Sequence, residues 1–244
     1  MARGPGLSLR IDRLAPGPGA PLFSGLRLQV APGEVLALLG PSGVGKTTLL
    51  RVLSGAERRW QGEVRVGDLP PAQAMTPGYV FQDARLLPWL SAADNLRAVA
   101  PDLTDARIGE LLRQVGLAGQ HDAWPHTLSG GMQRRLALAR ALSVNPGLLL
   151  LDEPFVSLDR TMVRELQALF LKVFLADDPT VVIVSHDPED AACMADRAIV
   201  LRGRPAYVIA DVTLPGRPGQ RSDAETARIA RELAQAGAPA EVSP

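Results

Sequence analysis

Val35-Leu-Ala-Leu-Leu39 runs directly into Gly40-Pro-Ser-Gly-Val-Gly45-Lys46-Thr47-Thr48 and on into Leu49-Leu-Arg-Val-Leu53. The five apolar residues read as a strand buried on both faces; Pro41 and the glycines break it, and residues 47–53 read as a helix. Strand, glycine loop and helix in that order are what the pattern G-x-x-x-x-G-K-[ST] requires. Consecutive backbone N–H groups of the loop then face a polyphosphate, and the helix points its positive end at the same place. Across Gly40, Pro41, Ser42, Gly43, Val44, Gly45, Lys46, Thr47 and Thr48, the ammonium of Lys46 is placed to hold the β- and γ-phosphates and the Thr47 hydroxyl to ligate Mg2+. Arginine supplies almost every other positive charge, with lysine only at Lys46 and Lys172, so a compact point charge here stands out from the chain's own habit.

Working outward, short strand-like runs precede the loop at residues 7–14 and 26–30, and others follow at 64–66 and 79–81. From residue 90 to 144 the strand signal disappears. Ile108, Leu111, Leu112 and Val115, then Leu136, Ala139 and Leu142, fall at helical spacing and predict a helical insert. Two further continuously apolar strands, 148–151 and 181–184, flank a helix over 160–176; this is βαβ grammar with a parallel sheet. Residues 198–201 and 207–211 predict a terminal hairpin. Pro215, Gly216, Pro218 and Gly219 mark a linker into a polar, weakly amphipathic helix over 222–236.

The second apolar strand ends in Asp152-Glu153, at the carboxyl edge where α/β sheets bind ligands. Asp152 is placed to reach Mg2+, and Glu153 to polarise a water for in-line attack on a γ-phosphate. Thr127-Leu-Ser129-Gly130-Gly131-Met132-Gln133 opens a helix with exposed backbone N–H groups; it reads as a helix cap or as a second anion site. A second phosphate site makes sense if it faces a different molecule, which points to a dimer with nucleotide between subunits. His186 ends another core strand at the same sheet edge, and Gln82 follows the strand at 79–81; each reads as structural or as functional on these grounds alone.

Composition narrows the partners. The 26 basic and 26 acidic residues cancel, which argues against nucleic acid as a partner. A 46% hydrophobic chain has material for a core. No apolar run approaches the roughly 18 residues that span a bilayer. Residues 1–10 lack a signal-peptide core, and the single cysteine, Cys193, fits a reducing compartment and rules out a disulfide scaffold or a cysteine zinc cluster.

Taken in order, Gly40 to Thr48, Gln82, Leu128 to Gln133, Asp152-Glu153, Ser157-Leu158-Asp159 and His186 resemble the ATP-binding cassette ATPases over about residues 7–212. The resemblance implies an α/β P-loop NTPase core with a mainly parallel sheet, an N-terminal antiparallel β subdomain and an inserted α-helical subdomain. The ATPase domain would span 1–214, with the helical part at about 88–146, and a linker and tail helix would occupy 215–244. It further implies that Gln82 touches Mg2+ and the attacking water and couples to a membrane partner. Ser129, Gly130 and Gly131, within the nucleotide-binding motif that ends at Gln133, would bind the γ-phosphate held by the opposite subunit; Asp159 would communicate across the dimer and His186 would contact the γ-phosphate.

Phe81-Gln-Asp-Ala-Arg-Leu-Leu-Pro-Trp-Leu90, Asp94-Asn95-Leu96 and the tail segment Val212-Thr-Leu-Pro-Gly-Arg-Pro are similar to the nitrate, sulfonate, taurine and pyrimidine-precursor importer ATPases of that family. What this implies is a peripheral subunit on the cytoplasmic face of the cell membrane. It would form a homodimer around two ATP–Mg2+, drive an integral membrane permease and answer indirectly to a solute-binding protein. Pro88 and Trp89 read either as packing for the helical insert or as a permease-docking surface. Residues 15–21 hold none of the aromatics that family members usually set ahead of the phosphate loop to stack on adenine, and Phe23 reads as core. An exporter or lipid-trafficking ATPase is the main alternative; a soluble cassette protein or a small-molecule P-loop kinase explains less of the pattern.

Overall fold

Strands β3 (Val35–Leu39) and β7 (Thr180–Ser185) are buried along their whole length. They pair in parallel from Val35 opposite Val181 to Leu39 opposite Ser185, and β8 (Arg197–Gly203) lies parallel to β3 on its other side. A strand covered on both faces favours apolar side chains at every interior position, which is why Val35–Leu39 and residues 181–184 are uninterruptedly apolar, with polar residues in β7 only at its ends, Thr180 and Ser185. The computed structural model describes residues 3–15, 17 and 19–238. The chain divides into two compact units, one of Pro5–Ala74 with Thr180–Pro244 and one of Met1–Gly4 with Met75–Pro179.

In the first unit the strand order is β4-β1-β2-β9-β8-β3-β7. β1 (Leu7–Leu14) is sandwiched between β2 (Phe23–Val30) and β4 (Trp60–Val66), antiparallel to both, and its alternating burial leaves one face wet. The expected antiparallel β portion is therefore present beside the parallel strands. β8 turns back antiparallel into β9 (Ala206–Thr213), the predicted hairpin. Helix α1 (Lys46–Leu53) follows the glycine loop and packs toward β4 and β7.

The tail is more firmly held than its composition suggested. Helix α7 (Asp223–Gly237) opens with a full capping box between Ser222 and Glu225, buries Ile229, Ala230 and Leu233, and packs on α6 (Pro188–Met194) and β8. The Arg221 guanidinium, in the segment before it, donates to the carbonyls of Ala192 at 2.7 Å and Ala195 at 2.8 Å, satisfying the open end of α6.

In the second unit β5 (Gly78–Val80) lies parallel to β6 (Leu148–Asp152). Helices α2 (Ala92–Arg97), α3 (Asp105–Gln114) and α4 (Gly130–Leu142) pack on one another through Leu96, Ile108, Leu111, Leu112 and Leu136, all buried, and α5 (Arg160–Asp177) follows β6. Asn95, fully buried, accepts from Leu87 N–H at 2.8 Å and donates to the carbonyls of Leu87, Leu90 and Ser91. That one amide fixes the Leu87-Pro88-Trp89-Leu90 turn, with the Trp89 side chain outside it at 67% exposure. Pro88 and Trp89 are both exposed, so Trp89 is no packing residue of the helices. Among the described residues no helix is long and apolar enough to cross a membrane.

Candidate functional site

Gly40 leaves β3 at φ 151°, where an added Cβ would lie 2.6 Å from the Leu201 carbonyl oxygen; Gly43 and Gly45 follow at φ 77° and 111°. At Gly45 a Cβ would meet the Phe23 ring at 2.6 Å, so Phe23, fully buried, supports the loop from beneath. Left-handed backbone at three glycines lets the loop curl in a way that residues with a Cβ resist. Lys46 is 4% exposed, and its ammonium donates to the Gly40 carbonyl at 2.7 Å and the Pro41 carbonyl at 3.1 Å. A cradle that a Cβ would fill, an ammonium across it and the first turn of α1 beyond it together fit a polyphosphate.

His186 stands on the neighbouring strand. Because Leu39 pairs with Ser185, Gly40 and His186 leave adjacent parallel strands at the same level. The turn beneath His186 is tied from both sides. The Ser185 hydroxyl donates to the buried Asp190 carboxylate at 2.6 Å and accepts from Asp187 N–H at 3.0 Å, and Asp187 caps α6 by accepting from Glu189 N–H at 2.8 Å.

The carboxylates belong to the second unit. Val80 pairs with Leu151, so Gln82 and the pair Asp152-Glu153 likewise leave adjacent parallel strands together. Asp152 is buried and accepts from the Tyr79 hydroxyl at 3.3 Å. Tyr79 stacks on Phe81 with centroids 4.1 Å apart, and the Arg85 guanidinium covers the Phe81 ring. Nothing in the sequence distinguished Tyr79 from an ordinary strand residue. Glu153 adopts φ 46°, an unusual backbone for a residue with a Cβ, and Gln82 is exposed.

Ser129 caps α4 by accepting from Met132 N–H at 3.3 Å. Gly131 packs so closely that a Cβ would lie 2.9 Å from Met162 Sδ. The Gln133 amide turns back to donate to the carbonyls of Pro125 and Leu128, bracing the approach to Ser129. Asp159 caps α5, accepting from Thr161 and Met162 N–H at 3.0 Å each.

Two arginines on α4 escaped sequence reading. Arg134 donates to the carbonyls of Pro154 at 2.9 Å and Val156 at 2.8 Å, just past Glu153. Arg140 donates to the carbonyls of Arg85 at 2.7 Å and Ala84 at 2.9 Å, just past Gln82. Burial pushes both guanidinium groups below their ordinary value, opposed at Arg134 by the charge of Asp83. The signal available was their position, at either side of the buried run Leu136 to Ala139 on a helix that carries Arg134, Arg135 and Arg140.

A strand ending in this glycine loop, with an apolar parallel strand ending in paired carboxylates, defines a P-loop nucleoside triphosphatase. The ABC transporter family model matches residues 23–156. The chain belongs to the ABC transporter family and is an ATP-binding, ATP-hydrolysing member of it. Among its relatives are the aliphatic sulfonates import ATP-binding protein SsuB 3 of Nocardia farcinica, 43% identical over 88% of this chain and 84% of that one, and SsuB of Granulibacter bethesdensis, 43% identical over 87% and 86%. Among solved structures, a dimeric post-hydrolysis state of the ATP-binding cassette MJ0796 bound to ADP and Pi is similar at a TM-score of 0.74, 27% identical, covering 86% of this chain and 99% of that one. The structure of cbiO1 from Clostridium perfringens, part of the ABC transporter complex cbiONQ, is similar at a TM-score of 0.75 and 26% identity over 86% and 89%.

Proposed function

We propose that this chain is the ATPase subunit of an importer for a small anionic or heterocyclic solute of the sulfonate, taurine or nitrate kind. Two copies close on two ATP–Mg2+ and drive a separate integral membrane permease from the cytoplasmic face, with a solute-binding protein acting indirectly. The observation that carries this reading is the similarity to sulfonate import ATP-binding proteins over more than four-fifths of both chains. The exposed Trp89, set by Asn95 a few residues past Gln82, supports a docking surface for that permease.

On this reading residues 1–214 form the cassette, with its helical part at about 88–146, and residues 215–244 form the linker and tail. Lys46 and the backbone N–H groups of the loop Gly40 to Thr48, Pro41 excepted, hold the β- and γ-phosphates. Thr47, Asp152 and Gln82 supply the hydroxyl, carboxylate and amide oxygens that suit Mg2+, which would neutralise the phosphate charge in transfer. Glu153 orients the attacking water and takes its proton. His186 and, from the second copy, Ser129, Gly130 and Gly131 contact the γ-phosphate, while Gln133 braces the approach to Ser129 and Asp159 communicates across the dimer.

The test is co-purification with the membrane partner and measurement of which solute-loaded binding protein stimulates ATP hydrolysis. Stimulation by an organosulfonate-loaded protein is expected, and no stimulation by any loaded protein defeats import. In the same assay Glu153→Gln should lower turnover by at least about 100-fold and trap an ATP-dependent dimer. Full turnover in that variant removes Glu153 from its role.

A further inference from the structure

We propose that Arg134 is a positioning residue for Glu153: it fixes the backbone of the segment that follows the carboxylate, and so ties the orientation of that carboxylate to the helix that presents Ser129, Gly130 and Gly131. The inference rests on the reading of Glu153 as the general base.

The segment between β6 and α5 begins at Glu153 and ends at Asp159. It holds two residues with a Cβ in left-handed backbone, Glu153 at φ 46° and Ser157 at φ 62°. Both conformations are disfavoured for such residues and persist where surrounding contacts determine them. Within the segment a long bond from Val156 N–H to the Glu153 carbonyl, 3.3 Å, gives weak closure, and Asp159 is committed to capping α5. Pro154 contributes no N–H.

Between the two left-handed residues sit the carbonyls of Pro154 and Val156, and each accepts from one terminal nitrogen of Arg134. A planar guanidinium can hold two oxygens at a fixed separation; a lysine ammonium, on a flexible stem with one nitrogen, cannot reproduce that fork. Arg134 lies one helical turn beyond Ser129, Gly130 and Gly131 on α4. Gly131 meanwhile packs against Met162 in the first turn of α5. One helix with its cap therefore carries the three residues proposed to face the opposite nucleotide and grips the stretch that orients the proposed base, with the two left-handed residues immediately flanking the gripped carbonyls.

Because the phosphate loop is built from other residues, loss of this fork should change hydrolysis and spare nucleotide binding. The experiment compares Arg134→Lys, Arg134→Ala and Glu153→Gln in the purified full chain, reading steady-state kcat and the Kd for a fluorescent ATP analogue. Both Arg134 variants are expected to lose about 10-fold or more in kcat, with Kd within about twofold of the parent. Millimolar methylguanidinium should restore part of the loss in Arg134→Ala and nothing in Glu153→Gln. If Arg134→Ala does not fold, Arg134→Lys alone decides.

A folded Arg134 variant that keeps kcat within about twofold overturns the inference, as does a loss of ATP affinity that parallels the loss of kcat. With Glu153→Gln inactive, either result fails the inference alone and leaves Glu153 as the base. Full turnover in Glu153→Gln fails the reading of Glu153 itself, and the inference with it.

Discussion

Ser185 is the last residue of β7, 3% exposed, with its hydroxyl shared between the Asp190 carboxylate and the Asp187 N–H. His186 follows directly, so that pair of bonds ties the backbone turn from which the imidazole leaves the strand. Ser185→Ala removes both and withdraws a partner from a carboxylate that is 6% exposed. The expected cost is about 1–3 kcal/mol, read from urea unfolding, with a lower kcat for ATP if His186 contacts the γ-phosphate. His186 itself was legible, because a strand of Val181-Val-Ile-Val ending at the sheet edge marks its position. Asp190 was not. A carboxylate at the start of a helix looks like any other until the turn closes and brings it back on to Ser185. The same limit hid Tyr79 and Arg134, whose partners Asp152, Pro154 and Val156 are distant in sequence.

At the scale of elements, apolar pattern located nearly every strand and long helix but set their limits by side chains that face the core. β2 begins at Phe23, three residues before the apolar run at Leu26, since Ser24 pairs with Arg13 through backbone bonds that need no apolar side chain. β4 likewise begins at Trp60, through Gln61, Gly62 and Glu63 paired with β1. The six-residue α2 and seven-residue α6 were missed because neither is long enough to show the apolar repeat i, i+3, i+4, i+7; both are started by caps, Ser91 and Asp187. The shortest strand, β5, shows what packing adds to pattern. A Cβ on Gly78 would lie 2.6 Å from the Ala141 carbonyl oxygen, 2.6 Å from a Leu149 methyl and 2.9 Å from Pro146. Its backbone is ordinary, so the restriction is one of space alone. Gly78→Ala should cost about 1–3 kcal/mol by overpacking β5 against α4 and β6, seen as a lower thermal midpoint with unchanged helical content in the folded baseline.

For the whole molecule, zero net charge holds only near neutrality, because the 26 carboxylates titrate in acid while the arginines keep their charge. How steeply stability falls there depends on which carboxylates the fold binds in ionised form. Glu57 is the clearest. It is 3% exposed, between the end of α1 and the start of β4, and accepts from the Arg59 side chain at 3.1 Å and from the Arg58 and Arg59 N–H groups. The Arg59 side-chain bond, then the Arg59 backbone bond, hold its carboxyl down at about 2, against an ordinary 4.5. A folded value below the unfolded one means that the proton binds more tightly to the unfolded chain. The contribution is thus fully present above about pH 4.5 and is lost as pH falls toward 2. Arg59 is 64% exposed, so solvent screens the pair and about 1 kcal/mol is the expected size of that share. Asp94 and Asp211 are held low by Ser91 and Arg197 and lose stability over the same acid range, so the parent curve alone does not isolate Glu57. The difference between parent and Glu57→Gln does: unfolding free energies from urea titrations should differ most above pH 5, shrink as pH falls, and converge only below about pH 2, and a difference that stays constant with pH would remove Glu57 from the acid response.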